Sequence, residues 1–330
     1  MAFSFLTCRD HNSYLYSDSE NKNSHVLLSS QKLLQRVISA DKNGEWGAKE
    51  NEHAWIIASD PLTQFAIVFA ALIHDVDHTG VPNAQLVKEK AHVASLYKNR
   101  SVAEQNSLEL AWEMLMAREY RDLQRAIFAN QEELKRFRQL IVNVVLATDI
   151  FDPEMVQIRN SRWEKAFGED GSESGLSDQE IQSLKATIVI EYIMQASDVS
   201  HSMQHWHVYQ KWNRRLFEEM FRAFKEGRMG ADPREFWYKG EIGFFDNYVI
   251  PLANKLKNCN VFGVSSDEYL GYAVRNREEW AERGEEIVKN MLREIEESSA
   301  SLEPSKSVID DGTASNKSQS SNGAVEVSSV

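Results

Sequence analysis

Residues 60–83 read DPLTQFAIVFAALIHDVDHTGVPN. Asp60-Pro61 is a helix start, with the proline in the first turn, where its missing N–H costs nothing. The apolar residues that follow recur at three- and four-residue steps, the period of a buried helix. They run unbroken from Phe65 to Ile73, too short a stretch to span a bilayer. The run ends on His74-Asp75-Val76-Asp77-His78, after which Gly80 and Pro82 break the helix. Polar groups at the end of such a segment are costly to bury without a partner. The spacing places His74 and His78 on one helix face, four residues apart, with Asp75 beside His74. Imidazole and carboxylate together suit a divalent transition metal such as zinc, and a carboxylate-rich face suits magnesium or manganese. A polar helix end in water is the plainer reading, and the apolar run before it argues against full exposure.

The same helical period extends in both directions. It recurs in SHVLLSSQKLLQRVI (24–38), SVAEQNSLELAWEMLM (101–116), RFRQLIVNVVLAT (136–148), LKATIVIEYIMQASD (184–198) and the segment from Asp267 to Leu292. Strict alternation is rare, and Ser177-Asp178-Gln179-Glu180 is a capping box. Polar, glycine-bearing loops fall at 40–53 and 168–177. From Glu297 the composition turns to Ser, Asn, Gly and Asp, the signature of a solvated tail over 298–330. The expected fold is all-α: one compact multi-helix domain, with few short strands.

The chain has 330 residues, a formal net charge of −13 and two widely separated cysteines, Cys8 and Cys259. An acidic chain of this kind is no nucleic-acid surface, and an anionic substrate would need a local cation to reverse the field. The cysteines read as free thiols in a reducing compartment. The start, MAFSFLTCRDHN, lacks the basic region of a signal peptide. The expectation is a cytoplasmic protein with no membrane insertion by this chain and an oligomeric state left open.

A metal pair at 74–78 needs further carboxylate. Asp198 ends a second strongly apolar helical segment and is the best candidate. Glu104 in SVAEQNS and Thr148-Asp149 in VVLATDIFD also follow apolar faces. Taken singly, each of these three reads as an ordinary cap or solvated helix end.

Taken together, HDVDHTGVPN, SVAEQNS, VLATD, QASDVS and GFFDNYVIPL, in this order, resemble the class I cyclic-nucleotide phosphodiesterase catalytic domain. Among its members the likeness is greatest to those of unicellular algae. The resemblance spans nearly everything but the two ends, giving a divergent segment at 1–23, a catalytic domain at 24–297 and the tail at 298–330. It implies a binuclear metal site at the bottom of a deep pocket. His74 would ligate a first, zinc-like ion, and Asp75 and Asp198 would bridge toward a second, magnesium or manganese. His78, Glu104 and Thr148 would hold metal-bound waters. The implied reaction is attack on phosphorus that opens the ring of cyclic AMP or cyclic GMP to the 5′-monophosphate. Phe244 matches the aromatic that stacks on the purine.

Three departures stand out. The family's upstream His-Asn-x-x-His-Ala block, source of a proton donor and a metal ligand, is missing: its two histidine positions fall on Asp18 and Lys22, and His11-Asn12, which resembles its start, lies too early and has Leu15 where the ligand should be. Glu241 replaces the purine-selecting glutamine, and His201 stands where many members have asparagine. An ionised Glu241 only accepts hydrogen bonds, which favours guanine, with its two adjacent donors; an ion pair with Lys239 would instead keep it from the base. The implied function is metal-dependent hydrolysis of a cyclic nucleotide. The alternative is a catalytically weak or dead relative that binds nucleotide or a partner.

Overall fold

The apolar run at 65–73 becomes part of a helix, Pro61–Ile73, that packs against several of the other helices. The computed structural model describes residues 13–42, 52–89, 92–168 and 175–301. Every regular element among them is helical, and no strand occurs. In chain order the helices are α1 (Ser13–Lys42), α2 (Glu52–Ala58), α3 (Pro61–Ile73), α4 (Asn83–Lys88), α5 (His92–Leu96), α6 (Val102–Leu115) and α7 (Arg121–Ile127). They continue with α8 (Gln131–Leu146), α9 (Pro153–Phe167), α10 (Asp178–Asp198), α11 (Trp206–Lys225), α12 (Pro233–Phe244), α13 (Ile250–Asn258) and α14 (Val264–Ser301). The chain divides into two units, Met1–Met291 and Leu292–Val330. Of the expected tail, 298–301 still belong to α14 and the rest lies outside the described residues.

α3 starts as its sequence demands. The Asp60 side chain accepts from the Leu62 N–H, and Pro61 opens the first turn. Ala66, Ile67, Ala70, Ala71 and Ile73 are buried, and α3 packs against α1, α8 and α10. α10 carries the capping box: Ser177 accepts from the Glu180 N–H and Glu180 reaches back to Ser177. From Ile188 to Ser197 every residue of α10 is buried, so this helix is enclosed all round. Because α3 and α10 pack together, the polar ends of both are brought to one place. Between α12 and α13 the chain makes a single π-helical turn, Phe245–Val249, of the kind that often reshapes a helix at a functional site. Among the described residues no single helix is long and apolar enough to cross a membrane.

Candidate metal centre

α3 ends at Ile73, and His74 caps it with helical backbone angles, its N–H bonded to the Ala70 carbonyl at 3.0 Å. The His74 ring is buried, and its Nδ1 lies 3.0 Å from the Ala71 carbonyl. A carbonyl only accepts, so Nδ1 carries the proton and Nε2 is left to face the cluster. Nε2 lies 3.5 Å from Asp75 Oδ2 and 3.5 Å from Asp198 Oδ1. One atom from each of the three residues falls within 4.8 Å of the others, the one such group among the described residues. Ligands about 2.1 Å from a tetrahedral ion lie about 3.4 Å apart. Three protein ligands with an open position are also the set a catalytic ion needs. The donor set therefore fits a divalent cation.

The expectation that His74 and His78 share a helix face is corrected. The helix stops before both, and Asp77 takes a left-handed conformation, φ 61°. The turn is held from α6: Ser107 Oγ donates to the Val76 carbonyl at 2.7 Å, and the Asn106 amide donates to Asp77 Oδ2 at 3.1 Å. His78 is left exposed, its Nδ1 accepting from the Gly80 N–H. Gly80 sits at φ 74°, where a Cβ would come within 2.7 Å of Glu219 Oε1, so the turn requires glycine.

Glu104 stands on the first turn of α6, and its Oε2 accepts from Asn83 Nδ2 at 2.9 Å. Burial raises its pKa above the usual carboxylate value; the Asn83 bond pulls it down, and the charges of Asp149 and Asp75 push it up further. Glu104 thus feels the metal cluster through Asp75. Thr148 turns its hydroxyl back onto its own helix, donating to the Val145 carbonyl at 2.7 Å. Its neighbour Asp149 joins the polar network instead. Asp149 Oδ2 accepts from Ser101 Oγ at 2.8 Å and from Asn83 Nδ2 at 3.4 Å, and Oδ1 accepts from the Phe151 and Asp152 N–H groups. Ser101, buried, pays for this aim with a left-handed backbone, φ 39°. Asn83, Ser101 and Asp149 were all inside the quoted motifs, yet nothing in a single sequence separates them from ordinary caps.

The third group lies on α11 and α12. Glu241 is buried, and its Oε2 accepts from the Tyr209 hydroxyl at 2.7 Å, not from Lys239. Asn213 Nδ2 donates to the Tyr209 oxygen at 3.2 Å, and the Trp237 indole N–H donates to Asn213 Oδ1 at 3.2 Å. Burial raises the Glu241 pKa, against the pull of Tyr209 and Asn213. Phe244, half-buried, stacks on Tyr248 with ring centres 5.5 Å apart. The Tyr248 phenol is pushed far up, first by burial and next by the charge of Asp198. His201, half-buried past the end of α10, tilts against Trp212 at 6.1 Å.

The family described as 3'5'-cyclic nucleotide phosphodiesterase matches residues 49–263. The dual specificity calcium/calmodulin-dependent 3',5'-cyclic nucleotide phosphodiesterase 1B of Bos taurus is 29% identical over 201 residues, 58% of this chain and 34% of that protein. The 1C protein of Mus musculus bearing the same description is 26% identical over 198 residues, 58% of this chain and 26% of its own length. The chain thus spans about a third or less of the length of these curated relatives. The crystal structure of the phosphodiesterase domain of Salpingoeca rosetta rhodopsin phosphodiesterase matches with a TM-score of 0.58 at 20% identity. That match covers 89% of this chain and 95% of that one, a likeness of fold.

Proposed function

The chain belongs to the 3',5'-cyclic nucleotide phosphodiesterase family, and on that premise we propose that it hydrolyses a 3',5'-cyclic nucleotide to the 5'-monophosphate with divalent cations held by His74, Asp75 and Asp198. The observation that carries this reading is the meeting of those three side chains where α3 and α10 end, with His74 Nε2 3.5 Å from each acid. His74 would hold a zinc-like ion, and Asp75 and Asp198 would hold a second, magnesium or manganese. When bound, such ions supply Lewis acidity toward a water and toward phosphoryl oxygen. They also let a chain of net charge −13 accept an anion.

The chain's own groups do the rest. His74 and the two acids fix where the phosphate sits. Glu104, its proton affinity raised by burial, can hold a proton beside the attacking water, and Asn83 keeps it oriented. Asp149, Thr148 and the exposed His78 complete the polar wall. Phe244 stacks on the base, Glu241 reads its edge, and His201 borders the same region.

A second reading, a weak or dead relative that only binds nucleotide, draws on the missing upstream block, whose positions lie outside the described residues or the described side chains. Losing a general acid costs about 10²–10⁴ in rate. A hydrolysis assay with magnesium and cyclic AMP or cyclic GMP separates the two. Slow turnover that disappears in Asp198→Ala supports the enzyme; binding without any Asp198-dependent turnover supports the second reading.

A further inference from the structure

The end of α11 reaches the turn that carries His78. In KEGRM (225–229) Gly227 is left-handed, φ 73°. The Gly227 N–H donates to the Phe224 carbonyl and the Arg228 N–H to the Ala223 carbonyl, each at 2.9 Å. This pair of bonds is a Schellman cap, which ends the helix and sets the course of the chain beyond the glycine. From there the Arg228 side chain meets α4. Its Nε donates to Glu89 Oε1 at 3.2 Å and its Nη2 to Glu89 Oε2 at 3.1 Å, a two-point fork on the residue that caps α4. The remaining Nη1 donates to the Thr79 carbonyl at 3.2 Å. The fork holds the Glu89 carboxyl below its usual pKa, with help from Gln85.

Both sides of this contact are seated in one small apolar core. Val81, Leu86 and Val102 are buried there with Ala223, and Met229 packs against them. The segment on either side of Arg228 and the segment after the turn therefore keep a fixed separation. The Thr79 carbonyl and the Gly80 N–H belong to one planar peptide unit. Arg228 holds its oxygen end, and its nitrogen end donates to His78 Nδ1 at 3.2 Å. A backbone N–H only donates, so Nδ1 accepts and the neutral ring carries its proton on Nε2. A cation on the carbonyl polarises the peptide and strengthens its N–H as a donor.

We propose that Arg228, backed by Glu89, is a positioning residue that sets the tautomer of His78 through the Thr79–Gly80 peptide, so that His78 offers an N–H donor from Nε2 to the phosphoryl group. The use of that donor by substrate rests on the activity proposed above; the tautomer does not. Imidazole nitrogen NMR on histidine-labelled protein reads it directly, because protonated and bare ring nitrogens resonate far apart, and His78→Gln assigns the signal. The unmodified chain should carry the His78 proton on Nε2. Arg228→Met and Glu89→Gln should each move the tautomer ratio about fivefold toward Nδ1–H, the worth of one hydrogen bond. A ring protonated on Nδ1 in the unmodified chain, or an unchanged ratio in either folded variant, overturns the proposal. Cyclic-nucleotide hydrolysis should fall about tenfold or more in Arg228→Met, with metal content kept. A shifted ratio with unchanged hydrolysis overturns the use of the donor by substrate. A shifted ratio in a chain that shows no Asp198-dependent hydrolysis upholds the tautomer and overturns the activity.

Discussion

Asp198 Oδ1 and His74 Nε2 lie 3.5 Å apart at the ends of two different helices. Because Nδ1 of that ring is committed to the Ala71 carbonyl, the nitrogen facing the acid presents its lone pair in the neutral ring. A lone pair aimed at two carboxylates is repulsive unless a proton or a cation lies between them. The metal assignment makes a direct prediction. Purified protein should carry a divalent metal that Asp198→Ala loses, with cyclic-nucleotide hydrolysis falling by about two decades or more, since even the partners of metal ligands are worth 10–100-fold. Equal metal content by elemental analysis in both proteins would mean that the cluster holds a proton instead.

The network behind the cluster should matter without touching the metal. Asn83→Ala removes the hydrogen bond that holds Glu104 down, so the Glu104 pKa should climb further and the acid limb of the pH–rate profile should move to higher pH. Rate and metal affinity should fall about 10–100-fold. An unshifted limb with full metal affinity would reduce Asn83 to a structural tie between the start of α4 and the Ala103 N–H of α6.

How far these arrangements were legible differs from residue to residue. α3 and α10 could be read because their signals are local: Asp60-Pro61, the Ser177 capping box and a long apolar period. The pairing of Asp198 with His74 could be anticipated only from the need of two buried helix ends for charge compensation. The position of His78 could not. Asp77 turns left-handed because α6 reaches across to hold Val76 and Asp77, and a helical spacing rule has no knowledge of a tertiary tether. Glu241 is a similar case. Lys239 is near in sequence, but burial on α12 hands the carboxylate to Tyr209 on α11.

His53 gives a stability prediction with a defined sign. The ring is buried between α2 and α10, with Nδ1 3.2 Å from Gln182 Oε1, and burial lowers its pKa below 6.5. Below pH 6.5 the unfolded chain takes up a proton that the folded chain refuses, so this contribution is complete above that pH and lost as the pH falls beneath it. Denaturant titrations from pH 7.5 to about 5 should show falling stability, the part due to this one group changing by at most about 1.4 kcal/mol per pH unit. His53→Phe should flatten that dependence. An equal slope in the variant would assign it to other groups.

The proposed base-reading residue, Glu241, is fixed by a chain of donors. The Trp237 indole N–H can only donate, so Asn213 Oδ1 accepts it and Asn213 Nδ2 must face the Tyr209 oxygen. The Tyr209 proton is thereby sent to Glu241 Oε2, and residue 241 is held as an acceptor. On the proposed reading, the edge of the carboxylate left by Tyr209 and Asn213 meets the base. An ionised carboxylate there matches the adjacent N–H and amine of guanine, whereas adenine offers one donor. A glutamine would give its carbonyl to Tyr209 and turn its amide N–H groups toward the base. Exchanging an acceptor for a donor at a buried contact is worth about 1–3 kcal/mol. Glu241→Gln should therefore move the ratio of kcat/KM for cyclic GMP over cyclic AMP about tenfold or more toward cyclic AMP. Because burial raises the Glu241 pKa, the preference of the unmodified chain should also strengthen as rising pH ionises the carboxyl, and the variant should lose that dependence. A ratio that is the same in both proteins across the pH range would remove Glu241 from the base-binding site.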